Sequence, residues 1–203
     1  MYGCRVVALN YKNMDFKLLL QIVGVALGLL YLYLEYRANI WLWVVGIVMP
    51  VVHGVLYYRS GLYADFSMQM YYILAGLYGL ARWSHKPHGR ESALEIGFAP
   101  KRLWLSIVVV YGVLHIAIYW FLTTFTDSTV PFWDSLTTAL CVVAYWLLSR
   151  KYVEQWLVWL VVDVATMGLY IYKDIPITAA LYALYSVLAV AGYRRWIKVI
   201  ASR

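Results

Sequence analysis

The stretch Trp156–Tyr193, WLVWLVVDVATMGLYIYKDIPITAALYALYSVLAVAGY, decides how the rest of the chain is read. It holds two apolar runs, each long enough to cross a bilayer, split by Lys173-Asp174-Ile175-Pro176. A single carboxylate, Asp163, sits inside the first run. Trp156 and Trp159 precede it by about two turns and one turn of helix, so the three share a face. Tyr182 and Tyr185 share a face of the next run in the same way. An acid among aromatic rings at membrane depth is the composition of a pocket for an organic cation.

The composition agrees with that reading along the whole chain. Of 203 residues, 64% are hydrophobic and only 13% charged, and the mean hydropathy is +0.69. Soluble domains are nearer half apolar and a quarter charged, so this is an all-α integral membrane protein, a single membrane domain over residues 1–203. Continuous rather than alternating apolar runs exclude a β-barrel. The net charge of +7 sits in loops between apolar runs, which argues against nucleic acid as a partner and for the lipid bilayer. The two cysteines, Cys4 and Cys141, imply no disulfide framework. The N-terminus has no cleavable leader pattern, so the first apolar run is expected to serve as the insertion signal.

Seven spans follow: Phe16–Leu34, Ile40–Tyr58, Leu62–Trp83, Leu103–Thr124, Phe132–Leu148, Val153–Tyr172 and Ile177–Ile197. The one long polar connection is Ser84–Arg102. On the side of the N-terminus lie Arg5, Lys12, Lys17, Arg59 and Lys173; the other twelve of the 17 basic residues lie on the opposite side. The positive-inside rule then puts the N-terminus outside and the C-terminus in the cytoplasm.

The halves repeat. A shift of 113 residues lays Arg37 on Arg150, Trp43 on Trp156, Tyr57 on Tyr170, Tyr72 on Tyr185, Gly79 on Gly192, Arg82 on Arg195 and Trp83 on Trp196, without a gap. Such symmetry marks repeat-built transporters. An even number of crossings separates the two starts, so the three-helix units (16–83 and 132–197) have the same orientation, joined by an inverting linker helix at 103–124. A site on their shared axis would draw residues from both.

Asp163 falls opposite Pro50 in this alignment, which breaks the symmetry where the chemistry is. It is either hydrogen-bonded to a neighbouring helix or a counter-ion for a substrate, and its depth favours the second. Gln69 and Tyr72, with Tyr182 and Tyr185, supply the third helix of each unit; Gln69 offers both a donor and an acceptor. Trp43 and Trp156, near span ends, are expected to be partly interfacial, and Trp159, a turn deeper, is the better stacking platform. His53 and His115 are expected to be structural. Pro50 removes one helix hydrogen bond, and Gly46, Gly54 and Gly76 permit close helix approach. The sequence shows no nucleotide-binding loop, hydrolase motif or metal-spaced cluster, so neither an enzyme nor a cofactor is expected.

The segments LEYRANIWLWVVGIVMP, GLYADFSMQMYYILAGLYGLARW and YALYSVLAVAGYRRW, with the Trp156, Trp159, Asp163 series, resemble the PnuC family of vitamin-precursor transporters over residues 16–197. The resemblance implies a SWEET-like arrangement of two three-helix bundles around a linker, a homo-oligomer, expected to be a trimer, and a bacterial inner-membrane location. It implies facilitated diffusion of a cationic vitamin precursor, trapped by a separate cytoplasmic kinase. The substrate expected is nicotinamide riboside, with thiamine, carried by the similar PnuT branch, as the alternative. Both are fixed cations on an aromatic ring. A remoter alternative is a non-transporting membrane subunit. The substrate-binding residues expected are Gln69, Tyr72, Trp156, Trp159, Asp163, Tyr182 and Tyr185.

Overall fold

A computed structural model describes residues 23, 26–59, 63–85, 95–172, 174 and 176–202. The start of the first expected span, the basic residues of the N-terminal segment, Lys86, His88 and Arg90 of the long loop, Lys173 and Arg203 lie outside them. Tyr57 and the Tyr63-Ala64-Asp65 side chains are likewise outside what is described.

Every described regular element is a helix. They are α1 (residues 26–36), α2 (Trp41–Arg59), α3 (Tyr63–Ser84), α4 (Lys101–Phe125), α5 (Pro131–Ser149), α6 (Gln155–Tyr172) and α7 (Pro176–Ala201). From the second onward, each begins and ends within a few residues of its expected span. The largest difference is at the end of α7, where Lys198-Val199-Ile200-Ala201 continues the helix beyond the apolar run. Among the described residues α4, α5 and α6 are long and apolar enough to cross a membrane. The chain divides into two compact units, residues 1–77 and 78–203.

In the first unit, small residues set the helix spacing. A Cβ on Gly76 would lie 2.8 Å from Ile47 Cγ1, and one on Gly46 would lie 3.1 Å from the Tyr31 ring. Pro50 lies inside α2 and has no N–H for the Gly46 carbonyl. That carbonyl is 3.7 Å from the position a Gly76 Cβ would take. His53 Nδ1 pairs with the Met49 carbonyl at 2.9 Å, one turn back in its own helix.

In the second unit α5 packs between α4 and α6, and α7 packs on α6. Ala99, Ile107, Val143 and Leu147 form a core flanked by Leu103, Tyr111, Trp146, Tyr152 and Val158. His115 stacks on Tyr111 (5.8 Å between centroids, 5° between planes) and meets the edge of Phe132, the packing role expected of it. The outer face of α4 is apolar and open: Leu105, Val108, Val113, Ile116 and Trp120 are all exposed. Bare aliphatic side chains in that number suit lipid rather than water.

Two turns in the chain share one backbone. After α1, Ala38 has φ 50°; its N–H donates to the Glu35 carbonyl at 2.9 Å, and the next N–H, of Asn39, to that of Leu34 at 2.9 Å. After α5, Lys151 has φ 56°; its N–H donates to the Leu148 carbonyl at 2.9 Å, and that of Tyr152 to Leu147 at 3.0 Å. Each is a Schellman closure, with a left-handed residue where glycine is usual. The helix that follows starts alike in both: Leu42 N–H to Asn39 and Trp43 N–H to Ile40, then Gln155 N–H to Tyr152 and Trp156 N–H to Val153. All four matched pairs of hydrogen bonds are separated by the same 113 residues found in the sequence repeat.

The second of these turns is pinned by its surroundings. The Trp83 indole N–H donates to the Ser149 carbonyl at 3.1 Å, and Lys151 Nζ lies 4.3 Å above the Trp83 ring. Gly97 bridges the turn from the other side, its N–H donating to Lys151 and its carbonyl accepting from Val153. The Glu154 carboxylate receives the Ala99 N–H on both oxygens, at 2.9 and 3.0 Å, just ahead of the Pro100 cap of α4.

Candidate substrate site

One stripe of α6 differs from the rest of its surface. Gln155, Trp159, Asp163, Thr166 and Tyr170 recur at three- and four-residue spacing and turn inward. Leu157, Val161, Val164, Gly168 and Ile171 recur on the opposite side and are exposed. The helix is thus apolar towards lipid and mixed polar and aromatic towards the bundle, the arrangement of a helix that lines a path.

Asp163 lies at the middle of this stripe and is 7% exposed. No described residue gives it a hydrogen bond or an ion pair. α5 and α7 both pack on α6, and Cys141 of α5 and Tyr182 and Tyr185 of α7 lie within reach of the Asp163 charge. The rings around it form two groups. Tyr170 and Tyr182 stack, with centroids 5.5 Å apart and planes at 17°, and Tyr185 meets Tyr182 edge-on at 5.7 Å. Trp159 is half-buried and meets Tyr145 of α5 edge-on at 5.5 Å; its indole N–H is buried with no acceptor among the described residues. A buried carboxylate without a partner is costly unless a cation or hydrogen-bond donors reach it.

Of the expected site residues, Trp159, Asp163, Tyr182 and Tyr185 are therefore brought together in the second unit. Trp156 is on the same helix but occupied differently. It is 2% exposed, meets Trp196 edge-on at 5.8 Å, and takes the room beside Gly192, where a Cβ would lie 2.6 Å from its ring. The expectation that Trp43 and Trp156 sit partly at an interface is corrected: both are enclosed by protein, at 1% and 2% exposure, because large rings fill the space that small residues leave. Gln69 and Tyr72 belong to the first unit. Gln69 Cβ lies 3.6 Å from the position of a Gly54 Cβ, and Tyr72 meets Tyr71 edge-on at 5.5 Å.

Three residues beside the candidate site escaped the sequence reading: Cys141, Tyr145 and Tyr170. Tyr170 was reachable from the period of α6, seven residues after Asp163. Cys141 and Tyr145 share a face of α5 at four-residue spacing, but which face of α5 meets α6 is a tertiary fact that the span's own pattern does not carry.

A bundle of bilayer-length helices with an unpaired acid held among rings is the build of a membrane carrier for a small organic solute. Comparison with known proteins agrees. Residues 18–198 match the family model described as nicotinamide mononucleotide transporter. The chain belongs to that family, whose members are transporters and not enzymes. It is 28% identical over 208 residues to the nicotinamide riboside transporter PnuC of Escherichia coli, covering 91% of this chain and 87% of that protein. It is 24% identical over 176 residues to the riboflavin/roseoflavin transporter RibM of Streptomyces davaonensis, covering 86% and 82%. The fold matches a crystal structure of the vitamin B3 transporter PnuC, with a TM-score of 0.69 at 23% identity, covering 90% of this chain and 82% of that one.

Proposed function

We propose that this protein carries nicotinamide riboside across a bacterial inner membrane by facilitated diffusion, with phosphorylation by a separate cytoplasmic kinase making uptake one-way. The observation that carries the reading is Asp163, an unpaired buried carboxylate one turn along α6 from Trp159, with Tyr182 and Tyr185 of α7 within reach of its charge. The pyridinium ring of the substrate stacks on Trp159, its charge faces Asp163, and Tyr182 and Tyr185 close the cage from α7. A relative named for nicotinamide riboside supports this substrate over thiamine. The relative named for riboflavin supports a second reading, a neutral flavin, but an unpaired acid suits a fixed cation better.

The helices form two parallel three-helix repeats (16–83 and 132–197) about the linker α4, in a SWEET-like arrangement. The matched turns at Ala38 and Lys151 support it, as does the burial of Trp43 with Trp156 and of Trp83 with Trp196. The N-terminus lies outside, the C-terminus in the cytoplasm, and the assembly is a homotrimer.

The test is uptake by vesicles that contain the purified protein and no kinase. Labelled nicotinamide riboside should equilibrate and not accumulate, and excess cold nicotinamide riboside should compete where riboflavin does not. Accumulation driven by an imposed proton or sodium gradient would reject facilitated diffusion; competition by riboflavin alone would reject the substrate.

A further inference from the structure

The seam between α5 and α6 carries four side chains that the sequence repeat does not reproduce. Tyr145 of α5 meets Trp159 of α6 edge-on at 5.5 Å. The two helices are joined by the short turn 150–154 and pack on each other, so they run in opposite directions. Four residues back along α5 and four forward along α6 are then the same step along the seam, which brings Cys141 level with Asp163. The thiol lies within reach of that charge and of Tyr182 on α7.

The matching positions, 113 residues earlier, are Gly28, Leu32, Gly46 and Pro50. None of them carries a polar atom or an aromatic ring in its side chain. There the helices close on each other: a Cβ on Gly46 would lie 3.1 Å from the Tyr31 ring of α1. One seam is sealed with small and aliphatic residues, while the other is walled by two rings, a thiol and an acid.

The second seam is also accessible. Cys141, Tyr145 and Trp159 each keep part of their surface open, and Cys141 is a free thiol. The carboxylate of Asp163, 7% exposed, has no partner among the described residues, Cys141 included. A thiol is a weak donor and cannot neutralise a carboxylate, so the nearest side chain of α5 leaves the charge of Asp163 unanswered. A small uncharged group beside an unanswered acid is what a bound cation needs: room, and an opposite charge.

We propose that Cys141 is the α5 wall of the substrate site, with the substrate's charged ring lying between its sulfur and the Asp163 carboxylate, and that its small size sets how wide a ring fits. This rests on the reading of the substrate as nicotinamide riboside, a single ring with a fixed charge. Sulfur is soft and polarisable and packs well against the edge of an aromatic ring. A longer side chain at 141 fills the room beside Asp163, and a ring then reaches the carboxylate only by forcing the neighbouring side chains out of place.

The experiment follows Cys141 in the purified wild type with methyl methanethiosulfonate. The reagent leaves a methylthio group on Sγ and releases methanesulfinate, while the thiol proton goes to water. Peptide masses separate Cys141 from Cys4, the other cysteine of the chain. Saturating nicotinamide riboside should slow the labelling of Cys141 about ten-fold, and protein already labelled there should bind the riboside at least about ten-fold more weakly, as expected of a group added to a packed site. In parallel, Cys141→Ala should bind at least about ten-fold more tightly than Cys141→Leu. A thiol that labels at the same rate with and without the riboside, or does not label at all, overturns the proposal, and so does equal affinity in the alanine and leucine variants. Should the leucine variant not fold, protection in the wild type decides alone. Each of these failures leaves the transport reading intact where the wild type binds nicotinamide riboside; wild type that does not bind it overturns both.

Discussion

α2 and α6 are matched by the 113-residue sequence repeat, and the turns that lead into them are built alike, yet they differ at the matched positions 50 and 163. α2 carries Pro50, which frees the Gly46 carbonyl beside the bare Gly76. α6 carries Asp163 at the matching position, buried and unpaired among the described residues. The backbone repeats while the chemistry does not. One half spends its special residue on helix packing and the other places a carboxylate there.

The comparison is broken most severely at the close helix contacts. Gly192→Ala should cost about 1–3 kcal/mol of stability, because the added carbon meets the flat Trp156 ring at 2.6 Å and that ring is already held by Trp196. Gly76→Ala meets a single atom under 3 Å, Ile47 Cγ1 at 2.8 Å, against three Trp156 ring atoms at 2.6 Å beside Gly192, and should cost less. Unfolding in detergent micelles measures both; equal losses would mean that the two halves are packed with the same tolerance.

Next comes the site itself. Asp163→Asn should weaken nicotinamide riboside about ten-fold, which corresponds to about 1.4 kcal/mol, while a neutral ligand of similar shape is unaffected. Trp159→Ala should lose a similar amount through stacking and cation attraction, and Trp159→Phe less. Pro50→Ala, at the position matching Asp163, should leave affinity within about two-fold and act on stability instead. Binding isotherms on the four variants check this, and an unchanged affinity in both Asp163→Asn and Trp159→Ala, with folding intact, would put the pocket elsewhere.

The smallest effects sharpen the likeness of the turns. Ala38→Gly relieves a left-handed residue and should stabilise by about 1 kcal/mol. Lys151→Gly relieves the same strain but gives up the cation held 4.3 Å over Trp83, so its gain should be smaller. A larger gain at Lys151 than at Ala38 would show that the Trp83 contact contributes nothing.

The helices were legible because each span is a continuous apolar run of bilayer length, bounded by charges, glycine or proline. Leu62–Trp83 against the observed Tyr63–Ser84 shows how closely such punctuation works. α4 begins two residues early, at Lys101, since a helix need not start where apolarity does. Asp163 was legible because a lone acid in such a run has few bland explanations, and Trp159, Tyr182 and Tyr185 through their spacing with it. Tyr145 and Cys141 were not, because their part depends on which face of α5 meets α6. Trp156 was legible as a member of the series but not as the partner of Gly192, a contact between residues 36 positions apart that neither helix announces alone.

That last contact bears on how the sequence can change over generations. Every replacement of Gly192 adds at least a Cβ, and the space for it is already taken by the Trp156 indole. A smaller ring at 156 would open the space but abandon the edge-on contact with Trp196. Neither residue has a comfortable single step away from its present identity, whereas a coordinated double change does. Gly192 and Trp156 should therefore behave in a mutational library as one inherited unit: alleles altered at either position should be depleted, and survivors at one should carry a compensating change at the other.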